Sequence, residues 1–132
     1  GFSYKEQTME RWIIPCNPKN YNVVEAFNRL NRIDWKQSNK SIMAGDEVYI
    51  YVATPIKAIK YRCRVNKANL STIEIDDTDF VVNGEPYETY GNYMELELLE
   101  VYDDCKHSLE VLRQKGLKGN LQSPQKAKNL LD

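Results

Sequence analysis

The sequence of 132 residues has no long apolar run, a single histidine, no Cys-x-x-Cys pair and no glycine-rich phosphate loop. A membrane-spanning helix needs roughly 20 consecutive apolar residues, so no such helix and no membrane partner are expected. Structural zinc sites need four cysteine or histidine ligands at short spacing, and phosphate loops need a fixed glycine pattern. Neither class of site is expected here.

Side chains suited to catalysis are also scarce. The one histidine, His107, stands two residues after Cys105, and we expect a surface histidine near a helix start rather than a metal ligand. One histidine cannot supply both the base and the metal ligands of an HNH-type nuclease. The acidic run EIDDTD at 74–79 lacks the glycine and distal glutamate of a calcium loop, which favours a solvated loop. We therefore predict a non-enzymatic binding module without catalytic residues, metal or cofactor.

The length and the cysteines indicate one domain in a reducing compartment. A chain of 132 residues can bury a real core but is too short for two domains. Cys16, Cys63 and Cys105 are widely spaced and odd in number, so we expect no disulfide framework and a cytoplasmic location. Because the chain starts Gly-Phe-Ser, we expect residues 1–132 to be a domain excised from a longer protein.

Charge is distributed unevenly along the chain, although the net charge is −1. Residues 1–66 contain 11 Lys and Arg against 6 Asp and Glu, whereas residues 67–132 contain 7 against 13. The two halves therefore carry +5 and −6. Such asymmetry permits a basic face, of the kind that nucleic acids bind, on a nearly neutral protein.

Turn residues and hydrophobic periodicity predict the elements at the start of the chain. Residues 11–16, RWIIPC, are typical of a short strand that ends in an Asn-Pro turn. Asn20 or Asn22 can cap a helix that runs to about residue 31, with its apolar residues on one face.

Further segments alternate as strands. Residues 47–53 follow a Gly-Asp turn and are apolar on both faces, as in a central strand. Residues 59–65 alternate between a core face and a basic stripe, with Ile59, Tyr61, Cys63 and Val65 opposite Lys60, Arg62 and Arg64. Residues 70–82 show a weaker strand pattern before an Asn83-Gly84 turn. Residues 93–102 alternate apolar residues with solvated glutamates.

The end of the chain carries helix signals. Ser108 can cap a helix that runs through Gln114, with Gly116 as its stop. Ser123-Pro124 has the pattern of a second helix start. Five or six strands with helices at the margins predict an α+β fold, a small mixed β-barrel with flanking helices.

Trp35 stands out among the nine tyrosines and two tryptophans. It precedes Lys36 and the polar run Gln37, Ser38, Asn39, a segment that predicts a polar loop. A tryptophan there is either a plug over the end of the barrel or a stacking surface for a ligand. Physical arguments from the sequence do not favour one of these interpretations over the other. The neighbouring polar side chains have donors and acceptors suited to a base edge.

Several motifs together resemble an EVE domain. They are W-I-I-P-x-N-P-x-x-Y at 12–21, I-D-W-K-Q-S at 33–38, A-G-D-E-V-Y-I-Y-V-A-T-P at 44–55 and G-N-L-Q-S-P at 119–124. The EVE family belongs to the PUA-like superfamily, together with YTH and ASCH domains. The resemblance covers most of the chain and is poorest at 67–92. Many EVE domains carry Val-Arg-Asn after the loop tryptophan, where this chain has Lys-Gln-Ser.

The resemblance implies a PUA-like barrel whose pocket accepts a flipped, modified base in an aromatic cage. Trp35 would be a cage wall, and Gln37 and Ser38 would contact the base edge. Further pocket candidates near it are Trp12, Asn17 and Tyr51. The residues expected to contact the nucleic-acid backbone are Lys36, Lys60, Arg62 and Arg64.

The functional prediction is a reader of modified double-stranded DNA. Such domains occur beside HNH nucleases or in Mcr-type modification-dependent restriction systems, where a covalently linked nuclease domain cuts. The base would be methylated or hydroxymethylated cytosine, or methyladenine. Two alternatives remain open: an RNA-binding PUA-like module that reads a modified RNA base, and a domain that binds a small molecule, a nucleoside or a protein.

Overall fold

Six strands and two helices make up the fold in the computed structural model, which describes residues 9–19, 21–37, 39–72, 90–119, 121, 123–127 and 130–131. In chain order the elements are β1 (Arg11–Cys16), α1 (Val23–Arg29), β2 (Arg32–Lys36), β3 (Glu47–Val52), β4 (Ala58–Thr72), β5 (Tyr90–Val101), α2 (Leu109–Gln114) and β6 (Gln125–Lys126). Neither of the described helices is long and apolar enough to cross a membrane.

The strands form one mixed sheet in the order β2-β5-β4-β3-β1-β6. β1 pairs with β3 in parallel, and every other pairing is antiparallel. Within the described residues no ladder joins the outer strands β2 and β6, so the sheet is not closed. The predicted α+β class, with five or six strands and flanking helices, is confirmed, although the expected barrel is not closed in the part of the chain that the structure describes.

Each face of the sheet carries its own apolar cluster. α1 packs Val23, Ala26 and Phe27 into the first cluster, which we call the α1 face. α2 and the segment after it pack Leu112, Leu117 and other leucines into the second cluster, which we call the α2 face. Because side chains alternate along β3, the sheet needs apolar residues on both faces. All six residues of that strand are buried, as its sequence predicts.

The helix boundaries confirm the predicted caps. Asn22 is the N-cap of α1, and its side-chain oxygen accepts a hydrogen bond from the Glu25 backbone N–H at 3.2 Å. Ser108 caps α2 in the same way through Val111, also at 3.2 Å. The alternative cap Asn20 lies outside the described residues, as do the predicted turn at 83–84 and most of the weak strand pattern at 70–82.

Two predicted local structures are wrong. Trp35 does not lie in a polar loop, because residues 32–36 form β2 and pair with β5 from Arg32↔Glu97 to Lys36↔Tyr93. Ile33 and Trp35 both point to the α1 face. Two apolar residues among polar neighbours are too few for the alternation of a strand to be recognised in the sequence. The Ser123-Pro124 helix is also absent. The chain there enters β6, which covers the outer edge of β1 and satisfies backbone groups that a helix would leave unpaired.

A β-bulge changes the predicted faces of β4. Ile50 pairs with Tyr61, but Tyr51 pairs with Ile59, so Lys60 is an extra residue in the ladder. Ile59 therefore turns to the α2 face, while Tyr61 and the residues after it stay on the α1 face. A single inserted residue reverses the side-chain alternation. A prediction that assumes a strict two-residue period therefore misses the reversal.

Asp46 ties the start of β1 to the turn before β3. One carboxylate oxygen accepts from the Trp12 indole N–H and the Met43 backbone N–H, both at 3.0 Å. The other accepts from the Glu10 backbone N–H at 3.2 Å. Asp46 is buried, so these donors have no water to replace the carboxylate.

Replacement of Asp46 by alanine is expected to lower the free energy of unfolding by about 2 to 4 kcal/mol, because three donors lose a charged acceptor. Chemical denaturation, analysed as a two-state transition, measures the change in the free energy of unfolding. Asp103→Ala, at an exposed position, is the matched control and should leave the midpoint nearly unchanged. Equal stability of the two variants would contradict the structural role of Asp46.

Candidate functional site

Trp35 and Tyr21 form an aromatic pair, which we call the aromatic corner. Their ring centroids are 5.4 Å apart with planes at 71°, an edge-to-face arrangement. Both side chains are half-buried against the α1-face cluster. Trp35 is fixed by strand β2, and Tyr21 directly precedes the N-cap of α1. An aromatic ring held on one side and open on the other can stack on a flat ligand.

Gln37 is buried beside the corner and is fully engaged with the chain itself. Its amide nitrogen donates to the Asn39 and Ile42 carbonyls at 2.9 and 3.1 Å, and its amide oxygen accepts from the Asn69 N–H at 2.7 Å. These bonds hold the turn after β2 against β4. A direct base contact by Gln37 would break them, so the residue positions the corner, and base contact stays a prediction.

The remaining loop candidates occupy different settings. Ser38 lies outside the described residues. Asn17 is exposed, and its side-chain oxygen accepts from the Lys19 N–H at 2.9 Å, which closes the predicted Asn-Pro turn. Its carbonyl also accepts from the Tyr21 N–H at 3.2 Å. Asn17 thus supports the corner through backbone geometry. Lys36 is exposed at the end of β2.

Trp12 and Tyr51 are not brought to the corner surface. Trp12 is 4% exposed in the core of the α1 face, with its indole N–H bound to Asp46. Tyr51 points to the opposite α2 face, where burial raises the pKa of its hydroxyl. A base stacked on Trp35 cannot touch Tyr51, because the sheet lies between them. The predicted cage of Trp12, Trp35 and Tyr51 is therefore not assembled.

The predicted basic stripe on β4 is neutralised by carboxylates. Arg62 makes two hydrogen bonds to Glu47, at 2.6 and 3.1 Å. Arg64 binds Glu97 at 3.0 Å, and Lys60 binds Asp104 at 2.8 Å. A phosphate would compete with these carboxylates for the same donors. The stripe is therefore not an open phosphate-binding surface.

The pairing extends across β5 into what we call the charge ladder. Glu95, predicted to be solvated, is 3% exposed and has Arg32 at 3.8 Å and Lys67 at 4.0 Å. Asn66 donates to Glu95 and Glu97, both at 3.0 Å. The charge ladder comprises Lys60, Arg62, Arg64 and Lys67 with Glu47, Glu95, Glu97, Glu100 and Asp104.

The ladder perturbs the ionisation of its members. Hydrogen bonds from Arg62 hold the pKa of Glu47 below its usual value, against the opposing effect of burial. Conversely, Glu47 raises the pKa of Arg62. Burial raises the pKa of Tyr49, whose hydroxyl donates to Glu47 at 2.9 Å. These shifts follow from structural ion pairing rather than from a catalytic arrangement.

His107 is buried, which corrects the prediction of a surface histidine. It is 6% exposed and packs edge-on against Tyr102, with ring centroids 5.0 Å apart. Burial lowers the pKa of the imidazole, and Lys115 and Lys106 lower it further. Among the described residues no group of three His, Cys, Asp or Glu side chains converges as a metal site. The acidic run at 74–79 lies outside that part of the chain.

The cysteines are free thiols in the described structure. Cys63 is fully buried, as predicted, and burial raises its pKa. Burial also raises the pKa of Cys16 to about 12. Cys105 is exposed.

Three crystal structures of the ASCH protein of Zymomonas mobilis, two of them of single-substitution mutants, have the same fold as this chain. Their TM-scores are 0.59, 0.57 and 0.55, at sequence identities of 9%, 10% and 10%. The superpositions cover 92%, 89% and 92% of this chain and 91%, 87% and 93% of the ASCH chains. No protein-family model matches the sequence, and comparison with curated proteins gives no match.

The comparison establishes the fold. The chain has the α+β fold of the Zymomonas mobilis ASCH protein. A shared fold at this level of identity does not carry function with it. The narrower EVE assignment and the restriction-system context therefore stay predictions. Sequence reasoning missed the partner of Trp35, although Tyr21 ends the first motif on which the resemblance rests.

Acid should remove the contribution of Glu47 to stability. Because the folded state lowers its pKa, the contribution is present above the ordinary glutamate pKa and is lost as pH falls through the folded value. Glu47→Gln should therefore destabilise the protein near neutral pH. The difference from wild type should stay constant down to about pH 5 and then shrink as the pH falls through the lowered pKa of Glu47. Denaturation at each pH measures this difference.

The same substitution in an Arg62→Gln background is the control. Without the arginine, the effect of Glu47→Gln should depend much less on pH, since the main cause of the lowered pKa is gone. A pH dependence that is unchanged by loss of Arg62 would show that another group perturbs Glu47.

Proposed function

We propose that the protein is a non-catalytic recognition module that binds a modified nucleobase in DNA by stacking it on Trp35. The observation that carries the proposal is the aromatic corner, in which Trp35 is fixed by β2 and by edge contact with Tyr21. A large ring that is half-buried has already lost most of its rotamer freedom. Stacking on it therefore costs little further entropy.

The energetics suit an extruded base. Removing a base from a duplex costs a few kcal/mol, and the cost is smaller where pairing is already weakened. Stacking on an aromatic side chain contributes about 1 to 3 kcal/mol per base. One aromatic wall alone roughly offsets extrusion, so hydrogen bonds to the base edge must add the remaining affinity. Ser38 follows Gln37 directly and is the proposed donor and acceptor. The Asn39 amide nitrogen is a second proposed donor, because the Asn39 amide oxygen already accepts from the Ser41 N–H at 2.9 Å.

Discrimination of a modification requires a close fit. Burial of one methyl group contributes only about 0.8 kcal/mol, which is less than a factor of ten in affinity. Selection of methylated or hydroxymethylated cytosine, or of methyladenine, therefore depends on pocket shape as well as on apolar contact. The rigid turn held by Gln37 is suited to this task, because four hydrogen-bonding groups fix it.

The charge ladder also favours recognition at the level of a base. Its cations are paired with carboxylates, so the sheet offers no continuous track for phosphates. Affinity that came mainly from phosphates would need such a track. A modified base in single-stranded RNA is the second candidate, because it needs no extrusion from a duplex. In the DNA case, cleavage would belong to a linked nuclease domain of a longer protein.

Trp35→Ala should weaken binding of the preferred modified oligonucleotide about tenfold or more. Trp35→Phe should retain much of the affinity, because it keeps an aromatic face. Fluorescence polarisation would compare duplexes with cytosine, 5-methylcytosine, 5-hydroxymethylcytosine or 6-methyladenine, and single-stranded RNA with the matching modified bases. Thermal unfolding of each variant separates lost binding from lost folding.

The pattern of affinities decides among the candidates. Preference for one modified duplex that depends on an aromatic residue at position 35 supports the DNA reader and identifies its base. Preference for modified RNA with the same dependence selects the second candidate. Weak binding of equal strength to all probes, unaffected by Trp35→Ala, would overturn the proposed function.

A further inference from the structure

A groove of about 660 Å³ lies between the loop after α2 and strand β6. It is remote from β2 in the strand order, because β2 and β6 are the two outer strands of the sheet. Its polar lining includes Lys115, Lys118, Gln125 and Lys126, and its apolar lining includes Leu130. Three of these residues are basic, which distinguishes the groove from the neutralised surface of the charge ladder.

The loop that forms the groove has a defined backbone structure. Gly116 has a φ of 115°, which glycine adopts without strain. The Gly116 N–H donates to the Arg113 carbonyl at 3.1 Å, and the Leu117 N–H donates to the Leu112 carbonyl at 3.0 Å. These two bonds are those of a Schellman motif. Leu117 and Leu112 also share the α2-face cluster, so packing fixes the loop.

The motif determines which side chains face solvent. Because Leu117 is buried, its neighbours at 115, 116 and 118 are turned outward and are exposed. The last helix carbonyls are already satisfied by the loop, so they present few free acceptors that would repel an anion. The result is a preformed turn in which Lys115 directly precedes Gly116 and Lys118 follows it two residues later.

In the part of the chain that the structure describes, no carboxylate is paired with the lysines of this turn. Within the described residues, neither Lys115 nor Lys118 is in an ion pair, whereas Lys60, Arg62 and Arg64 each have a carboxylate partner. Lys126 has Glu10 at 4.0 Å, and both side chains are about half exposed. Such a pair contributes little and leaves the ammonium available to a stronger anion.

We propose that this groove, and not the β4 stripe, holds phosphate groups of the bound nucleic acid. The proposal rests on the proposed function and adds a second contact surface to it. Lys115 and Lys118 supply point charges for phosphate oxygens, and the Gln125 amide suits a sugar or phosphate oxygen. The side chain of Leu130 forms an apolar wall against which a sugar can pack. The occupant is therefore a segment of the phosphate backbone of the nucleic acid, away from the base that lies on Trp35.

This arrangement separates two contributions to binding. The aromatic corner reads the base, whereas the groove adds affinity that depends on salt and not on the modification. Each neutralised phosphate contributes about 0.7 (single strand) to 0.9 (duplex) to the slope of log affinity against log salt concentration. Two lysine contacts should therefore account for about 1.4 to 1.8 of that slope.

The test is the double variant Lys115→Gln/Lys118→Gln in salt titrations with the oligonucleotide that wild type prefers. Its slope should fall by about 1.4 to 1.8, and its affinity at low salt should fall about tenfold, equally for modified and unmodified probes. Lys57→Gln/Lys106→Gln removes the same charge from two other exposed positions and is the control. It should change the slope by much less.

The outcomes distinguish this proposal from the proposed function. If the double variant keeps the wild-type slope while Trp35→Ala loses binding, the groove proposal is overturned and the base reader stands. If the control variant lowers the slope as much as the double variant, net charge and not the groove is responsible, and the groove proposal again fails. If wild type binds no nucleic acid, both proposals fall.

Discussion

The pairing of β4 with β5 through opposite charges is the constraint on which the rest of the structure depends. β4 and β5 are neighbouring inner strands of the sheet, with Arg62 opposite Glu100 and Arg64 opposite Glu97. The uneven distribution of charge along the chain thus becomes complementarity between neighbouring strands. Like charges directly opposite one another would be unfavourable, so this register fixes where β2 attaches and hence where Trp35 lies.

This use of charge has a functional consequence. Cations that pair with carboxylates between strands are not available to a polyanion. The basic stripe of Lys60, Arg62 and Arg64 is therefore not a free cationic surface. Among the described residues, the two features that we propose to contact a nucleic acid are the aromatic corner on β2 and the lysines of the turn after α2. The first is held by side-chain hydrogen bonds of Gln37 to the backbone, and the second by backbone hydrogen bonds around Gly116. If the proposed function is correct, the affinity comes from a few fixed contacts rather than from a wide charged face.

Much of the fold can be predicted from the sequence, because the determinants are local. The caps at Asn22 and Ser108 and the strand at 11–16 follow from side-chain chemistry within a few residues. The local structures that were predicted wrongly depend on residues that are distant in the sequence. β2 and β6 exist because β5 and β1 offer edges to pair with, and the bulge at Lys60 is set by its neighbours in the sheet. For the site, the sequence singled out Trp35 as an unusual aromatic residue but placed it in a loop. Its partner Tyr21 and the separation of Tyr51 by the sheet depend on strand pairing that the sequence does not show.

The most direct test of the central claim is an N–H correlation spectrum recorded by NMR during titration with the preferred modified oligonucleotide. The sequence has two tryptophans, so two indole signals report on two known environments. Trp12 is buried and bound to Asp46, and Trp35 is half-buried at the corner. Stacking of a base on Trp35 predicts a saturable shift of its indole signal with little change at Trp12. Binding of the oligonucleotide without any shift at Trp35 would contradict the account.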